Sequence, residues 1–121
     1  MNSVEDAYAN LGLYVTAFIG QRLWESAGCQ MKIYAHMASA NQWLVYQGTK
    51  DEKGGFEESP QAIWKGLEAA TYLRDDMLKT TGNRIWGLTF TLASDSTFAI
   101  EYVYTKPDDY EETDELIEVQ R

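Results

Sequence analysis

The hydrophobic period of this chain switches from that of a helix to that of a strand at Cys29, and the same switch recurs later. Before Cys29, apolar residues recur every three or four positions, which predicts an amphipathic helix over residues 4–26. Ser3 is placed to cap the first turn of this helix, and Gly28 is placed to end it. The helical stripe consists of Val4, Tyr8, Leu11, Val15, Phe18, Ile19 and Leu23.

From Cys29 onward, apolar and polar residues alternate, as they do along a strand with one buried face. One face is predicted to carry Met31, Ile33, Ala35 and Met37, and the other Gln30, Lys32, Tyr34 and His36. A second strand is predicted over residues 41–47, and the short link 38–40 makes the pair a hairpin. Residues 48–58 are polar and rich in glycine, so they are predicted to form a mobile loop, with Phe56 as the one residue held to the body.

A second helix and a second hairpin follow. Ser59 and Pro60 are a helix start signal, and Gly82 is placed to end the helix. The apolar stripe between them consists of Ile63, Leu67, Ala70, Leu73 and Met77. Two strands are predicted at residues 85–92 and 98–104, with a turn at residues 94–96 between them.

The predicted element order is therefore α-β-β-α-β-β. Two hairpins and two amphipathic helices favour an α+β fold, with a four-stranded antiparallel sheet and both helices packed on one face. A chain of 121 residues is a common size for one domain. Residues 1–106 are predicted to form that domain, and residues 107–121 an acidic C-terminal tail.

Acidic residues are concentrated in the tail. Seven of the eleven residues 108–118 are Asp or Glu, so residues 107–121 carry −6 of the total net charge of −9. Acidic termini often serve only to keep a protein soluble. Four apolar residues among the acids favour instead a segment that packs on the body or binds a basic partner: Tyr110, Leu116, Ile117 and Val119. The overall acidity argues against direct binding of nucleic acid.

The chain contains little that performs chemistry. Its one histidine, His36, is interpreted as an ordinary surface residue, and its one cysteine, Cys29, as a small buried hydrophobe. The phosphate-loop, dinucleotide-binding and nucleophile-elbow motifs do not occur in the sequence. Asp75 and Asp76 are interpreted as solvated acids on the second helix. We therefore expect no enzymatic activity, no cofactor and no metal.

The sequence also bears on the compartment. A single cysteine forms no internal disulfide, so nothing calls for an oxidising environment. The longest apolar stretch, residues 11–19, is too short to span a bilayer, and it is preceded by Glu5 and Asp6 rather than by basic residues. The chain is therefore predicted to be cytoplasmic, without membrane association.

The sheet face that no helix covers is the predicted docking surface. Trp43 and Tyr46 fall on opposite faces of the second strand, so one of them is predicted to lie on that uncovered face. Glu101 is predicted to face outward, whereas Tyr102 and Tyr104 follow Phe98 toward the helices. The candidate partner-binding residues are Trp43, Tyr46, Glu101, Asp108, Asp109, Tyr110, Glu111, Glu112, Asp114 and Glu115.

Several positions together resemble a known family. Trp24 stands near the end of the first helix, Leu73-Arg74 in the second helix, Trp86 in the third strand, and Phe98-x-x-Glu101-Tyr102-x-Tyr104 in the last. This arrangement resembles the YezG-like immunity proteins, the antitoxins of bacterial polymorphic toxin systems of the contact-dependent growth inhibition type. The resemblance covers residues 5–105 in outline, and this chain ends in a compact acidic run where longer members continue.

The resemblance implies a cytoplasmic protein that works by stoichiometric binding. We expect an immunity protein that forms a 1:1 complex with a cognate toxin C-terminal domain, a basic nuclease, and occludes it. The alternative is an acidic secretion chaperone, a class of similar size and composition that dimerises and holds an unfolded effector segment in a hydrophobic groove.

Overall fold

The computed structural model describes residues 2–35 and 37–107. The chain runs through seven elements: α1 (Val4–Ile19), β1 (Ser26–Ile33), β2 (Ala38–Tyr46), β3 (Thr49–Asp51), α2 (Ala62–Thr81), β4 (Gly87–Ala93) and β5 (Phe98–Val103). The strands form one antiparallel sheet in the order β3-β2-β1-β4-β5. The predicted α+β class is confirmed, whereas the predicted count of four strands was wrong by one.

The additional strand arises from a tight turn at Gln47 and Gly48. Both residues have positive φ, 51° and 77°, which suits the two-residue turn that places Tyr46 opposite Thr49. Residues 49–51 therefore pair with β2 instead of beginning the predicted loop. A Gln-Gly pair is a weaker hairpin signal than Asn-Gly or Asp-Gly, which is why the pattern was missed.

Phe56 is held to the body, as predicted. Its backbone N–H donates to the carbonyl of Ala17 at 2.9 Å, and its ring contacts those of Tyr14 and Phe18. The loop that follows β3 is therefore fastened to α1 at this residue.

The first helix is shorter than predicted. Ser3 caps it, since its side chain accepts the Asp6 N–H at 3.1 Å, but the helix ends at Ile19. Gly20 takes a positive φ of 59° and donates its N–H to the Thr16 carbonyl, which closes the last turn. The predicted end at residue 26 was wrong, because the apolar period continues to Leu23, which is exposed.

The first hairpin turns earlier than predicted. β1 ends at Ile33 and β2 already begins at Ala38, so residues 38–40 belong to a strand and not to the predicted link. The strand alternation is confirmed as far as Ile33, because Cys29, Met31 and Ile33 are buried. Met37 was predicted to lie on the buried face, but it is beyond the end of β1 and exposed.

The second helix begins at Ala62, two residues after the predicted start signal. Ser59 and Pro60 instead form a turn, in which the carbonyl of Ser59 accepts the Ala62 N–H at 3.0 Å. Gly82 ends the helix in a left-handed conformation, as predicted. The predicted turn at residues 94–96 is also confirmed, since it joins β4 to β5.

The core lies between the helices and one face of the sheet. β1 and β4 contribute alternating buried side chains, and α1 and α2 cover them. α1 and α2 approach closely where Gly66 lies against the ring of Tyr14. The fully buried large side chains are Phe18, Phe90, Leu11, Met31, Ile33, Ile85, Leu88 and Val15. Neither described helix has the length and apolar character needed to cross a membrane.

Candidate partner-binding surface

The direction of the β2 side chains identifies the sheet face that the helices leave uncovered. Leu44 is buried in the core, and the side chain of Gln42 accepts a 2.7 Å hydrogen bond from the Tyr14 hydroxyl on α1. Gln42, Leu44 and Tyr46 therefore face the helices, and Trp43 faces the opposite side. Of the two aromatic residues predicted as candidates, Trp43 lies on the uncovered face and Tyr46 lies on the helix side.

We call this uncovered surface the open face. By the same alternation and the strand register, it comprises Ser26, Gly28, Gln30, Lys32, Ser39, Asn41, Trp43, Val45, Lys50, Gly87, Thr89, Thr91, Ala93, Ala99, Glu101 and Val103. Most of its side chains are amides, hydroxyls or small groups. Its charges have both signs, so the open face itself is not acidic.

Trp43 rests on the backbone of β1. It pairs with Gly28, where an added Cβ would lie 2.8 Å from the Trp43 ring and 2.5 Å from the Phe90 carbonyl oxygen. A glycine at this position therefore lets the indole pack directly against the strand. The ammonium of Lys50 lies 5.2 Å from the ring centroid, within the range of a cation–π contact. The indole is half-buried and contacted on two sides, by the β1 backbone and by Lys50.

Glu101 lies on the open face, as predicted. It pairs with Thr89, whereas its neighbours Ile100 and Tyr102 pair with the buried Phe90 and Leu88 on the helix side. Glu101 is exposed. β1 and β4 separate it from Trp43, a distance of about 15 Å from the usual strand spacing. The two side chains therefore belong to one surface but do not form a single pocket.

The acidic candidates on the tail lie outside the described residues: Asp108, Asp109, Tyr110, Glu111, Glu112, Asp114 and Glu115. Residues 1–106 carry a net charge of only −3 of the total −9. The tail follows Pro107, four residues after the end of β5. Two thirds of the net negative charge therefore follows β5 in the sequence.

The two tyrosines that were predicted to lie in the last strand differ in their surroundings. Tyr102 is half-buried, and its hydroxyl lies 3.3 Å from that of Tyr8 on α1. Burial, followed by this hydrogen bond, raises the pKa of the Tyr102 hydroxyl above its ordinary value. Tyr104 was predicted to face inward, but it follows the end of β5 and is exposed.

The interpretation of Cys29 as a buried hydrophobe is confirmed. Its side chain is fully buried, and this burial raises the pKa of the thiol to about 12. Burial therefore favours the protonated thiol at neutral pH. Across residues 2–35 and 37–107, no three His, Cys, Asp or Glu side chains are grouped closely enough to hold a metal ion.

A buried ion pair on α2 was missed. Asp75 was interpreted as solvated, but only 4% of it is exposed, and its carboxylate lies 2.9 Å from the Arg74 guanidinium. Arg74 also donates to the carbonyls of Tyr34 and Ala35, in the turn between β1 and β2. The sequence did contain a signal for the burial of Arg74. Position 74 falls four residues after Ala70 and therefore on the apolar, core-facing side of the helix.

An apolar groove lies on the helix side of the sheet, between α1 and the β4–β5 hairpin. It has a volume of about 430 Å³ and is lined mainly by Tyr8, Ala9, Gly12, Phe90, Leu92 and Phe98. Phe98 is 49% exposed, although its ring stacks on that of Phe90 with centroids 5.2 Å apart. The sequence pattern had placed Phe98 on the helix face, and the structure leaves part of its ring uncovered there.

In comparisons with known proteins, no family model matches this chain, and no curated protein matches it. The resemblance to the YezG-like immunity proteins stays a prediction.

Proposed function

We propose that this protein is an immunity protein that binds a cognate bacterial toxin domain and occludes it in a 1:1 complex. The observation that carries the proposal is an uncovered sheet face with a preorganised tryptophan, next to the point where the acidic tail begins. The family resemblance supports the same class of function. Under this proposal the protein acts in the cytoplasm, where the toxin domain would otherwise reach its target.

The distribution of charge supports a basic toxin domain, and we propose a nuclease. Nucleases present basic surfaces to phosphate groups, and a concentrated acidic segment attracts such a surface over about a Debye length. The seven acids of the tail would speed the encounter and compete for the substrate channel. The open face, with its mixed charges and the indole of Trp43, would then supply the close contacts.

Binding energy at interfaces is concentrated in a few residues, and tryptophan is among the commonest of them. Trp43→Ala is therefore expected to weaken the complex with the toxin domain encoded beside this protein by roughly tenfold or more in Kd. Trp64→Ala is the matched control, because Trp64 is 70% exposed on α2 and is not on the open face. Calorimetric titration of both variants gives Kd and stoichiometry together.

Growth rescue and a titration of toxin activity test the function itself. The protein should protect a host that expresses the toxin domain, and inhibition should be complete near one equivalent, because each bound copy removes one toxin. Complete inhibition at a small fraction of an equivalent would mean that the toxin is modified catalytically. A failure to bind the toxin domain encoded beside it would reject the proposal.

The apolar groove favours a second candidate, an acidic secretion chaperone. Such a protein needs an exposed hydrophobic surface for an unfolded segment, and the groove beside the exposed ring of Phe98 offers one. The ligand distinguishes the two functions. Binding of an unfolded effector fragment that Phe98→Ser abolishes would favour the chaperone, and binding of a folded basic enzyme that Trp43→Ala weakens would favour the immunity protein.

A further inference from the structure

The two edges of the sheet differ in length and protection. β3 is only three residues long, whereas β5 presents six residues, Phe98–Val103, at the opposite edge. Protein sheets commonly protect such edges with lysine, proline or a bulge. β5 contains neither residue, and its one charged side chain, Glu101, points to the open face. The β5 edge therefore has the features of a strand that pairs with another strand.

The hydrogen-bond pattern shows which backbone groups face away from β4. The Ala93 N–H donates to the Thr97 carbonyl at 2.8 Å, and the Trp86 N–H donates to the Val103 carbonyl at 2.6 Å. Odd-numbered residues of β5 thus direct their backbone groups toward β4. By alternation, the N–H and C=O groups of Phe98, Ile100 and Tyr102 point outward from the sheet.

We propose that a second copy of this chain pairs along this edge, antiparallel, with the twofold axis at Ile100. The outward-pointing residues then meet one another: Ile100 faces Ile100 of the second copy, and Phe98 faces Tyr102 of the second copy. These pairs would form six hydrogen bonds between the chains and join the two sheets into one of ten strands. The interface goes beyond the proposed function.

Charge and backbone geometry favour this register over the two registers that are shifted by two residues in either direction. Glu101 lies opposite Ala99 of the second copy, whereas a shift by two residues toward the C-terminus would place Glu101 opposite Glu101. A shift the other way would pair Ser96, whose N–H already donates to the Ala93 carbonyl and whose φ is 73°. Of these three registers, only the one centred on Ile100 avoids both conflicts, and it pairs three residues of each β5 strand.

Apolar surface along the same edge would be covered by the second copy. Phe98, Val103 and Tyr104 are each at least 40% exposed, and the groove beside α1 continues from Phe98. An axis perpendicular to the sheet leaves both open faces on the same side of the dimer. Each copy would therefore keep Trp43 and the part of its open face away from β5 free, and the stoichiometry would remain one toxin per copy.

Two substitutions of opposite charge at Ala99 test the pairing of the two β5 strands. Ala99 is exposed on the open face and lies opposite Glu101 of the second copy in this register. Ala99→Glu would oppose two carboxylates twice per dimer and should raise the dimer Kd by about tenfold or more. Ala99→Lys should lower the dimer Kd instead. Gln30→Glu is the control, because it adds the same charge on the exposed open face of the central strand β1.

Sedimentation velocity of the full chain measures the dimer Kd. The wild-type protein should show a species of twice the 13.8 kDa chain mass, with both Ala99 variants equally folded by circular dichroism. A wild-type protein that stays monomeric at roughly 100 µM, well above the Kd of ordinary stable interfaces, would overturn the proposal. A dimer that responds equally, or not at all, to the two Ala99 substitutions would overturn it as well.

Discussion

At the residue scale, two glycines inside helices have different roles. An added Cβ at Gly66 would lie 2.4 Å from the Tyr14 ring, and Tyr14 is fixed by burial and by its bond to Gln42. At Gly12, nothing lies within 4 Å of an added Cβ. The first glycine is therefore required by the packing of α2 on α1, and the second is not.

This contrast predicts opposite effects of one substitution. Gly66→Ala should destabilise the protein by about 1–2 kcal/mol, because overpacking outweighs the gain in helix propensity. Gly12→Ala should stabilise it by about 0.5–1 kcal/mol, because only the propensity changes. Urea unfolding of both variants measures the difference, and a stabilising Gly66→Ala would contradict close helix packing at this site.

At the scale of elements, Arg74 connects α2 to the turn between β1 and β2. Its guanidinium pairs with the buried Asp75 and donates to the carbonyls of Tyr34 and Ala35. Those carbonyls belong to a turn and not to a strand ladder. Sequence periodicity placed this turn incorrectly. In the structure, Arg74 on α2 holds the backbone of the turn through these two hydrogen bonds.

Removing the Arg74 side chain should lower the stability of the protein substantially. Arg74→Met is expected to destabilise the protein by about 3–5 kcal/mol, because the Asp75 carboxylate stays buried after losing this cation. Lys79→Met, on the exposed last turn of the same helix, should change stability by less than about 0.5 kcal/mol. The double variant Arg74→Met, Asp75→Leu should recover part of the loss in urea unfolding. A single variant as stable as the wild type would show that the buried pair contributes little.

At the scale of the whole molecule, the core and most of the charge can be located separately. Among the described residues the buried core spans residues 7–92, whereas two thirds of the net charge lies in residues 107–121. We therefore expect that stability and long-range attraction can be changed independently.

Deletion of residues 108–121 should leave the far-UV spectrum and the cooperative melting nearly unchanged. The same deletion should slow association with a basic toxin domain and flatten its salt dependence, because the steering charges are removed. Surface plasmon resonance at two salt concentrations measures the rates. A truncated protein that is insoluble or melts without cooperativity would place Leu116, Ile117 or Val119 in the core, and unchanged rates would make the tail a solubilising segment only.

Local periodicity determined the elements of the fold. The apolar stripes predicted both helices, and alternation predicted four of the five strands and the side on which Glu101 lies. These features depend on side-chain direction, which repeats every 3.6 or 2 residues whatever the rest of the chain does. The end of α1 and the first turn were misplaced, and β3 was missed, because a positive φ at Gly20, a Gln-Gly turn and the reach of Arg74 leave little trace in the hydrophobic period.

The candidate site depended more strongly on tertiary structure. The sequence indicated that Trp43 and Tyr46 lie on opposite faces, but only the burial of Leu44 and the hydrogen bond from Tyr14 to Gln42 decided which face the helices cover. The seating of Trp43 on Gly28, the burial of Asp75 and the outward backbone groups of β5 all join residues that are distant in sequence or depend on a neighbouring strand. Local pattern determines the direction of a side chain, and only the assembled sheet and helices determine what that side chain meets.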